Sequence, residues 1–323
     1  MNNENDDFPH PIPPIAYIRW KENYFFLIMD PVARCFGMIH LNNEPSFNRL
    51  RVSAHFSLDG EVYLYANEAP LPEPFAMSPT IGDGRITLTI HQSHKLFGLK
   101  IDTDQLKGEF EIKGRLPSFD FAQCKYSAPD LVPFKEVMTI GTNLPFNHIQ
   151  QSTAVKGRIT VLASGQEFAV DRWGYRDHSW GMRSDNVVSE HTWCGLNFQD
   201  RAFGVMTIRS LIRPTIEAKE GYVVDSDGLR PLRKIGIVRV GGGADGLPDK
   251  LVHHLEDVFG RVFTIESDVA GRHAQVPLAA EKPDGDTVYE VTENFTKSVL
   301  RETGEEGFSL IELGRSSVKG GIG

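Results

Sequence analysis

Residues 49–66 read RLRVSAHFSLDGEVYLYA. Two runs rich in Val, Phe, Leu and Tyr flank Asp59-Gly60. An Asp-Gly pair between two such runs predicts a tight hairpin, because the favoured two-residue turn needs positive φ at both central positions. The same texture continues outward. RITLTIH (85–91), LFGLKID (96–102), KGEFEIKGRL (107–116), VKGRITVLA (155–163) and EFAVDRW (167–173) follow. HTWCGLNF (191–198) and FGVMTIRSL (203–211) flank a turn at Gln199-Asp200-Arg201, and KIGIVRV (234–240), RVFTIES (261–267), DTVYEVTENFTKSVL (286–300) and FSLIELG (308–314) close the series. No stretch of a dozen residues carries a clear helical period. Short β-rich runs separated by Gly, Asp, Asn and Pro predict an all-β sandwich or barrel with very little helix.

The chain has 323 residues, long enough for about two domains, and the reading divides it into residues 1–183 and 184–323. No residue-level repeat relates the halves. APLPEPFAMSP (69–79) is expected to be an extended loop over a barrel mouth or domain edge, and GGGADGLPDK (241–250) a flexible connection. Hydrophobic residues make up 40% and charged residues 24%, values of a soluble globular protein with a sizeable core. A net charge of −9, with no Lys/Arg-rich run, argues against nucleic acid as a partner. The acidic, proline-rich start is unlike a secretory signal, and no apolar run approaches the roughly 18 residues of a membrane span. Three widely spaced cysteines, Cys35, Cys124 and Cys194, form no CxxC. A reduced, cytoplasmic protein is expected.

One stretch combines strong charge with large aromatics: DRWGYRDHSWGMR, residues 171–183. Its segment Gly174-x-Arg176-Asp177-His178-Ser179-Trp180-Gly181-x-Arg183 resembles the signature of the AttH-like and carotenoid 1,2-hydratase (hydroxyneurosporene synthase) proteins, with the fungal Diels–Alderases of natural-product pathways as more distant relatives. His148-Ile149-Gln150-Gln151 followed by VKGRITV is similar to the strand leading into that signature, and GFSLIELGR, with Glu312, resembles the closing strand. The resemblance implies two lipocalin-like antiparallel β-barrels packed side by side. It also implies a downstream Tyr-x-Asp in the hydratase branch; here that stretch reads AFGVMTIRS (202–210), without the Tyr or the acid.

Residue by residue, the motif reads as part clasp, part pocket. Arg176, Asp177 and Arg183 suit an ion-paired clasp, or, for Arg176–Asp177, a pair that orients a histidine. Gly174 and Gly181 suit positive φ or close backbone approach. His178 is the candidate acid/base, since its ordinary pKa lies near neutrality. Trp180, two residues on and on the same strand face, could stabilise a developing cation. The candidate catalytic set is thus His178, Asp177 and Trp180. The candidate binding set is Trp193, His191, Asn197, Arg176, Tyr175 and His148, with His191, Trp193 and Asn197 sharing a face of their strand. Glu190 could face either way.

No metal site is assigned: His178, His191, Asp177, Glu190, the His91/His94 pair and His253-His254 show no second ligand pair at recognisable spacing. Ser179 sits in no Gly-x-Ser-x-Gly elbow, and no dinucleotide fingerprint is present. The expected function is cofactor-independent, acid/base-assisted hydration, cyclisation or isomerisation of a hydrophobic small molecule such as a terpenoid, steroid, polyketide or aromatic. The alternative is a non-catalytic carrier of an apolar ligand. A homodimer is allowed.

Overall fold

The computed structural model describes residues 4–14, 20–124, 132–139, 144–182, 187–243, 246–281 and 287–318. It is nearly all β, and all of its strand pairs are antiparallel. The chain divides into two compact units. The first comprises Met1–Asp120 with Leu144–Arg183, and the second Phe121–Asn143 with Ser184–Gly323. The segment Phe121–Asn143, which the division at residue 183 groups with the first half, thus belongs to the second unit.

The first unit contains β1 (Trp20–Asp30), β2 (Cys35–Glu44), β3 (Arg49–Leu58), β4 (Glu61–Ala69), β5 (Thr80–Gly82), β6 (Ile86–Gln92), β7 (Leu96–Asp102), β8 (Leu106–Gly114), β9 (Phe119–Asp120), β10 (Phe146–Val161) and β11 (Glu167–Met182). They form one curled sheet in the order β4-β3-β2-β1-β11-β10-β8-β7-β6-β5, with β9 on β10. Its two edge regions are joined by side chains: Tyr65 and Asn67 of β4 both donate to Asp83, just after β5. The β3–β4 hairpin turns on Asp59 (φ 52) and Gly60 (φ 91), the double positive φ that the Asp-Gly pair predicts. Along β8 the burial alternates residue by residue, as a strand with one wet face requires. The inward residues, Phe26, Phe56, Leu88, Phe97 and Ile112 among them, are a single apolar core. Each such side chain contributes about 1.5–3 kcal/mol by leaving water. Leu71, from the proline-rich loop, and Phe8, from the N-terminal segment, pack against it.

The second unit contains β12 (Val188–Asn197), β13 (Ala202–Ser210), β14 (Glu217–Asp225), β15 (Gly228–Val240), β16 (Lys250–Asp257), β17 (Val262–Asp268), β18 (Ala274–Glu281), β19 (Thr287–Leu300) and β20 (Glu305–Val318). The order β17-β16-β15-β14-β13-β12-β20-β19 closes on itself through a β17–β19 pairing, leaving β18 outside on β19. The result is a closed eight-stranded barrel. Leu196, Phe198, Phe203, Val223 and Phe263 fill it. A short helix, α1 (Phe134–Met138), packs on β13 and β14. No described helix is long and apolar enough to cross a membrane.

Candidate functional site

β11 changes character along its length. Its first half, EFAVDRW, alternates between buried and exposed; from Gly174 onward both faces are buried. The motif occupies this second half, where every polar group needs a partner inside the protein. Gly181 adopts φ 130, and a side chain there would meet the Pro145 carbonyl oxygen at 2.3 Å; a side chain on Gly174 would meet that of Leu27 at 2.2 Å. Both glycines therefore answer to close backbone approach, and Gly181 to positive φ as well. Arg183 lies outside the described residues.

The inward face carries Arg176, His178 and Trp180, opposite Phe26, Tyr24 and Glu22 of β1. Arg176 is 1% exposed. Its guanidinium donates to both carboxylate oxygens of Asp7, at 2.5 and 3.2 Å, and its Nε donates to Gln151 at 2.8 Å. It also lies 4.8 Å over the Phe97 ring. Gln151 is positioned by donating to the carbonyls of His94 and Leu116. Asp7 accepts further bonds from the Ser93 hydroxyl and the His94 backbone N–H.

His178 is completely buried. Its Nε2–H donates to Glu22 Oε1 at 3.0 Å, and its Nδ1 lies 3.6 Å from Asp7 Oδ1. Tyr24 stacks on one side of the ring, with centroids 4.1 Å apart, and donates its hydroxyl to Glu22. Trp180 lies 4.7 Å away on another side. Glu22 is buried as well, and His10 donates to it both from its backbone N–H and, at 2.7 Å, from Nδ1. The His10 ring stacks flat on Trp180 at 4.1 Å. Trp180 itself packs with Trp20, Ile149 and Met182. The relay therefore runs from Arg176–Asp7 through His178 and Glu22 to His10, the imidazole of this relay that is partly exposed, at 20%.

The electrostatics follow from this enclosure. Burial alone would lower the His178 pKa, but hydrogen bonds and charge from Asp7 and Glu22 outweigh it and hold the imidazole above its ordinary value. Burial would raise both carboxyls; Arg176 and His178 hold Asp7 well below the usual range, and His10 and His178 lower Glu22. With His178 protonated, two carboxylates face one guanidinium and one imidazolium, a neutral set. His10, Glu22 and His178 each offer a ligand atom within 4.8 Å of the others, the one cation-binding combination found among the described residues and one that spacing alone does not suggest. Glu22 Oε1 receives both rings at 2.7 and 3.0 Å, closer than the about 3.3 Å that separates ligands around a tetrahedral zinc ion. The geometry is that of shared protons.

The other face of β11 holds Tyr175 and Asp177. Asp177 binds His148 Nε2, and Tyr175 donates to Gln150 at 2.9 Å. Two expectations are corrected here. Asp177 orients His148, not His178, because neighbouring residues on a strand point to opposite faces. The partner of Arg176 is Asp7, not Asp177. Asp7, His10 and Glu22 are additions to the candidate set. An acid on the otherwise apolar face Glu22-Tyr24-Phe26-Ile28 is a usable signal for Glu22; nothing in the acidic N-terminal segment singles out Asp7.

His191, Trp193 and Asn197 lie in the second unit, on the face of β12 turned away from the barrel core. His191 binds Glu312 through Nε2 and the Tyr289 hydroxyl through Nδ1, and Trp193 stands opposite Glu312. Asn197 is six residues from His191, about 20 Å along a strand, too far to join it. Glu190 turns to the barrel mouth, where two adjoining cavities of about 320 and 290 Å³ share Glu190 and Arg239 in their linings. The two residues form an ion pair at 2.7 Å, and Arg209 joins it at 3.2 Å.

Comparison with known proteins agrees with this architecture. A family model described as "Domain of unknown function (DUF7064)" matches residues 3–316. The chain belongs to that family. No curated protein matches. Among solved structures, the chain is similar to kievitone hydratase from Nectria haematococca, at 11% identity with 97% of this chain and 95% of the other covered and a TM-score of 0.58. It is also similar to a putative AttH from Nitrosomonas europaea, at 12% identity with 91% and 92% covered and a TM-score of 0.60. The chain thus shares the fold of these two proteins.

Proposed function

We propose that the protein is an acid–base enzyme of the hydratase type acting on an apolar small molecule. The observation that carries this reading is the His178–Glu22–His10 relay, which links a fully buried, proton-holding imidazole to a partly exposed one stacked on tryptophan. His10 is the group that reaches the substrate. A proton passes from His10 to one carbon of a double bond, and the π pair forms the new C–H bond. Water adds to the resulting cation and returns a proton to the imidazole, so the sum is alkene plus water to alcohol. Trp180, on which the His10 ring lies flat, holds that imidazole in position. His178 acts through Glu22 by holding a proton in reserve. An imidazolium is only a moderate acid, so the chemistry favours a double bond whose cation is stabilised by conjugation. Likeness to a kievitone hydratase agrees with this class of reaction.

The complete enclosure and charge neutrality of the His178 cluster favour a second reading, a carrier in which the cluster only clasps the fold. One experiment separates the two. A panel of apolar conjugated alkenes is incubated in ¹⁸O-water and products are weighed by mass spectrometry. The enzyme reading expects incorporation of one labelled oxygen, falling about 10²–10⁴-fold in His10→Ala with binding retained. Tight binding without incorporation establishes the carrier.

A further inference from the structure

The second unit buries a polar group that the relay above does not use. Glu293 of β19 is 1% exposed and stands in register with Glu312 of β20, so both side chains leave the same face of the sheet. Two carboxylates directly opposite one another repel, and burial magnifies the repulsion. The pair is tolerable when one of the two carries a proton. On the far side of Glu312, His191 Nε2–H donates to its carboxylate, and the Tyr289 hydroxyl donates to His191 Nδ1. Gly314 makes this possible: a side chain there would lie 2.1 Å from the His191 ring and 2.7 Å from the Tyr289 oxygen. The chain of hydrogen bonds thus crosses β19, β20 and β12 and ends at Glu293.

Its last atom has no partner. Glu293 Oε2 is buried and accepts and donates nothing among the described residues. The nearest remaining neighbours in register are apolar: Val276 of β18 stands beside Glu293, Leu310 and Phe295 pair one step along, and Trp193 and Met206 continue the row beyond Glu312, as far as buried Glu220 of β14. Among the described residues, the titratable groups joined to Glu293 by hydrogen bonds are Glu312, His191 and Tyr289, and Glu220 stands farther along the same row. Such an orphaned oxygen is costly in a protein interior unless something else meets it.

We propose that Glu293 is the terminal hydrogen-bond donor of a second chain, Tyr289–His191–Glu312–Glu293, directed at the carbonyl oxygen of an enclosed apolar ligand. Burial, the charge of Glu312 and the hydrogen bond to it all hold the Glu293 carboxyl un-ionised well above the usual range, which agrees with the geometry. A half-turn about the broad terminal torsion of glutamate exchanges its two oxygens. The O–H then points from Oε2 at the ligand. The hydrogen bond polarises the ligand carbonyl, and the proton stays on Glu293. Trp193 is the wall on which the ligand lies.

This hydrogen-bond chain shares no residue with the His178 cluster, so the two ideas fail separately. The test is infrared spectroscopy of the intact protein at pH 7, alone and with β-ionone, an apolar ketone. Wild type is expected to show the carbonyl stretch of an un-ionised carboxylic acid, absent in Glu293→Gln and kept in His178→Ala. Bound β-ionone is expected to show a lowered ketone stretch that reverts in Glu293→Gln, with affinity weakened about tenfold. A wild-type acid band that survives in Glu293→Gln overturns the proposal. So does a ketone stretch that wild type leaves unchanged. Glu312→Gln, which removes the repulsion but keeps a hydrogen-bonding amide, is the second variant: it is expected to leave Glu293 ionised less reluctantly, so that the acid band weakens at a lower pH than in wild type.

Discussion

The two units bury their ionisable groups by opposite means. In the first, Asp7, Glu22, Arg176 and His178 keep their charges and cancel them against one another. In the second, two of the buried groups are held neutral: Glu293 keeps its proton, and burial pushes His253 down to about 4, so that it stays uncharged. The difference follows from what surrounds each cluster. An N-terminal segment brings Asp7 and His10 across the end of the first sheet, so opposite charges come within hydrogen-bond reach. Among the described residues, His253 has the Ile265 carbonyl and the Cys194 sulfur as hydrogen-bond partners, and Glu293 has another acid. A group without an opposite charge gives up its own. Arg230, clamped between Asp225 and Asp257, shows that the second unit can hold a buried ion pair where both signs are supplied.

Removing Asp7 is the sharpest way to break the contrast. Asp7→Ala leaves Arg176 and His178 buried with one carboxylate between them, and about 3–5 kcal/mol of unfolding free energy is expected to be lost in urea titration. A double change, Asp7→Leu with Arg176→Met, removes both charges and is expected to recover most of that loss. If Asp7→Ala costs less than about 1 kcal/mol, the first cluster is not held by its charges.

Acid separates the units next. His253 has a depressed folded pKa, so its neutral form stabilises the fold fully above its ordinary 6.5, and that contribution is lost as pH falls from 6.5 toward 4. The loss amounts to about 3 kcal/mol. Asp7 and Glu22 have depressed pKa values too, but as acids: their contribution is present above about 4.5 and lost only as pH falls below it. His178, with a raised folded pKa, contributes fully below 6.5 and loses that contribution as pH rises through its folded value. Hydrogen exchange at pH 5 is therefore expected to show β16 and β17 opening more readily than β1 and β11, and His253→Gln to abolish the difference. Equal protection in both sheets at pH 5 would contradict it.

How much of this is legible in the sequence depends on distance along the chain. The β3–β4 hairpin can be read from Asp59-Gly60 because the turn chemistry is local. The shared face of His178 and Trp180 can be read from the period of a strand. The same period puts His191 and Trp193 on one face, and the structure adds Glu312 across from Trp193. What cannot be read is which distant residue meets which. Asp7 lies 169 residues from Arg176, and Glu22 lies 156 from His178. Adjacency in sequence suggests Asp177 for both, and on a strand adjacency is what places two side chains on opposite faces. Glu293 draws no notice, since DTVYEVTENF is an ordinary strand until Glu312 is brought beside it.

Glu293→Gln is the mildest change, and it sharpens the contrast through its sign. An acid with a raised folded pKa contributes its stability fully below its unfolded value, near 4.5, and loses it progressively as pH rises and the unfolded chain ionises. A glutamine has the same shape, cannot ionise, and can donate to Glu312 in place of the carboxyl O–H. At pH 4 the variant and the wild type are expected to unfold within about 0.5 kcal/mol of each other. As pH rises toward 8 the wild type should lose ground and the variant should not, so that the variant becomes the more stable protein. The paired change in the first unit, Glu22→Gln, is expected to do the reverse at neutral pH, because it strips His178 of a negative partner rather than relieving a buried acid of a cost. Opposite signs for the same chemical substitution would show that the His178 cluster is built to keep charge and the Glu293 site to exclude it.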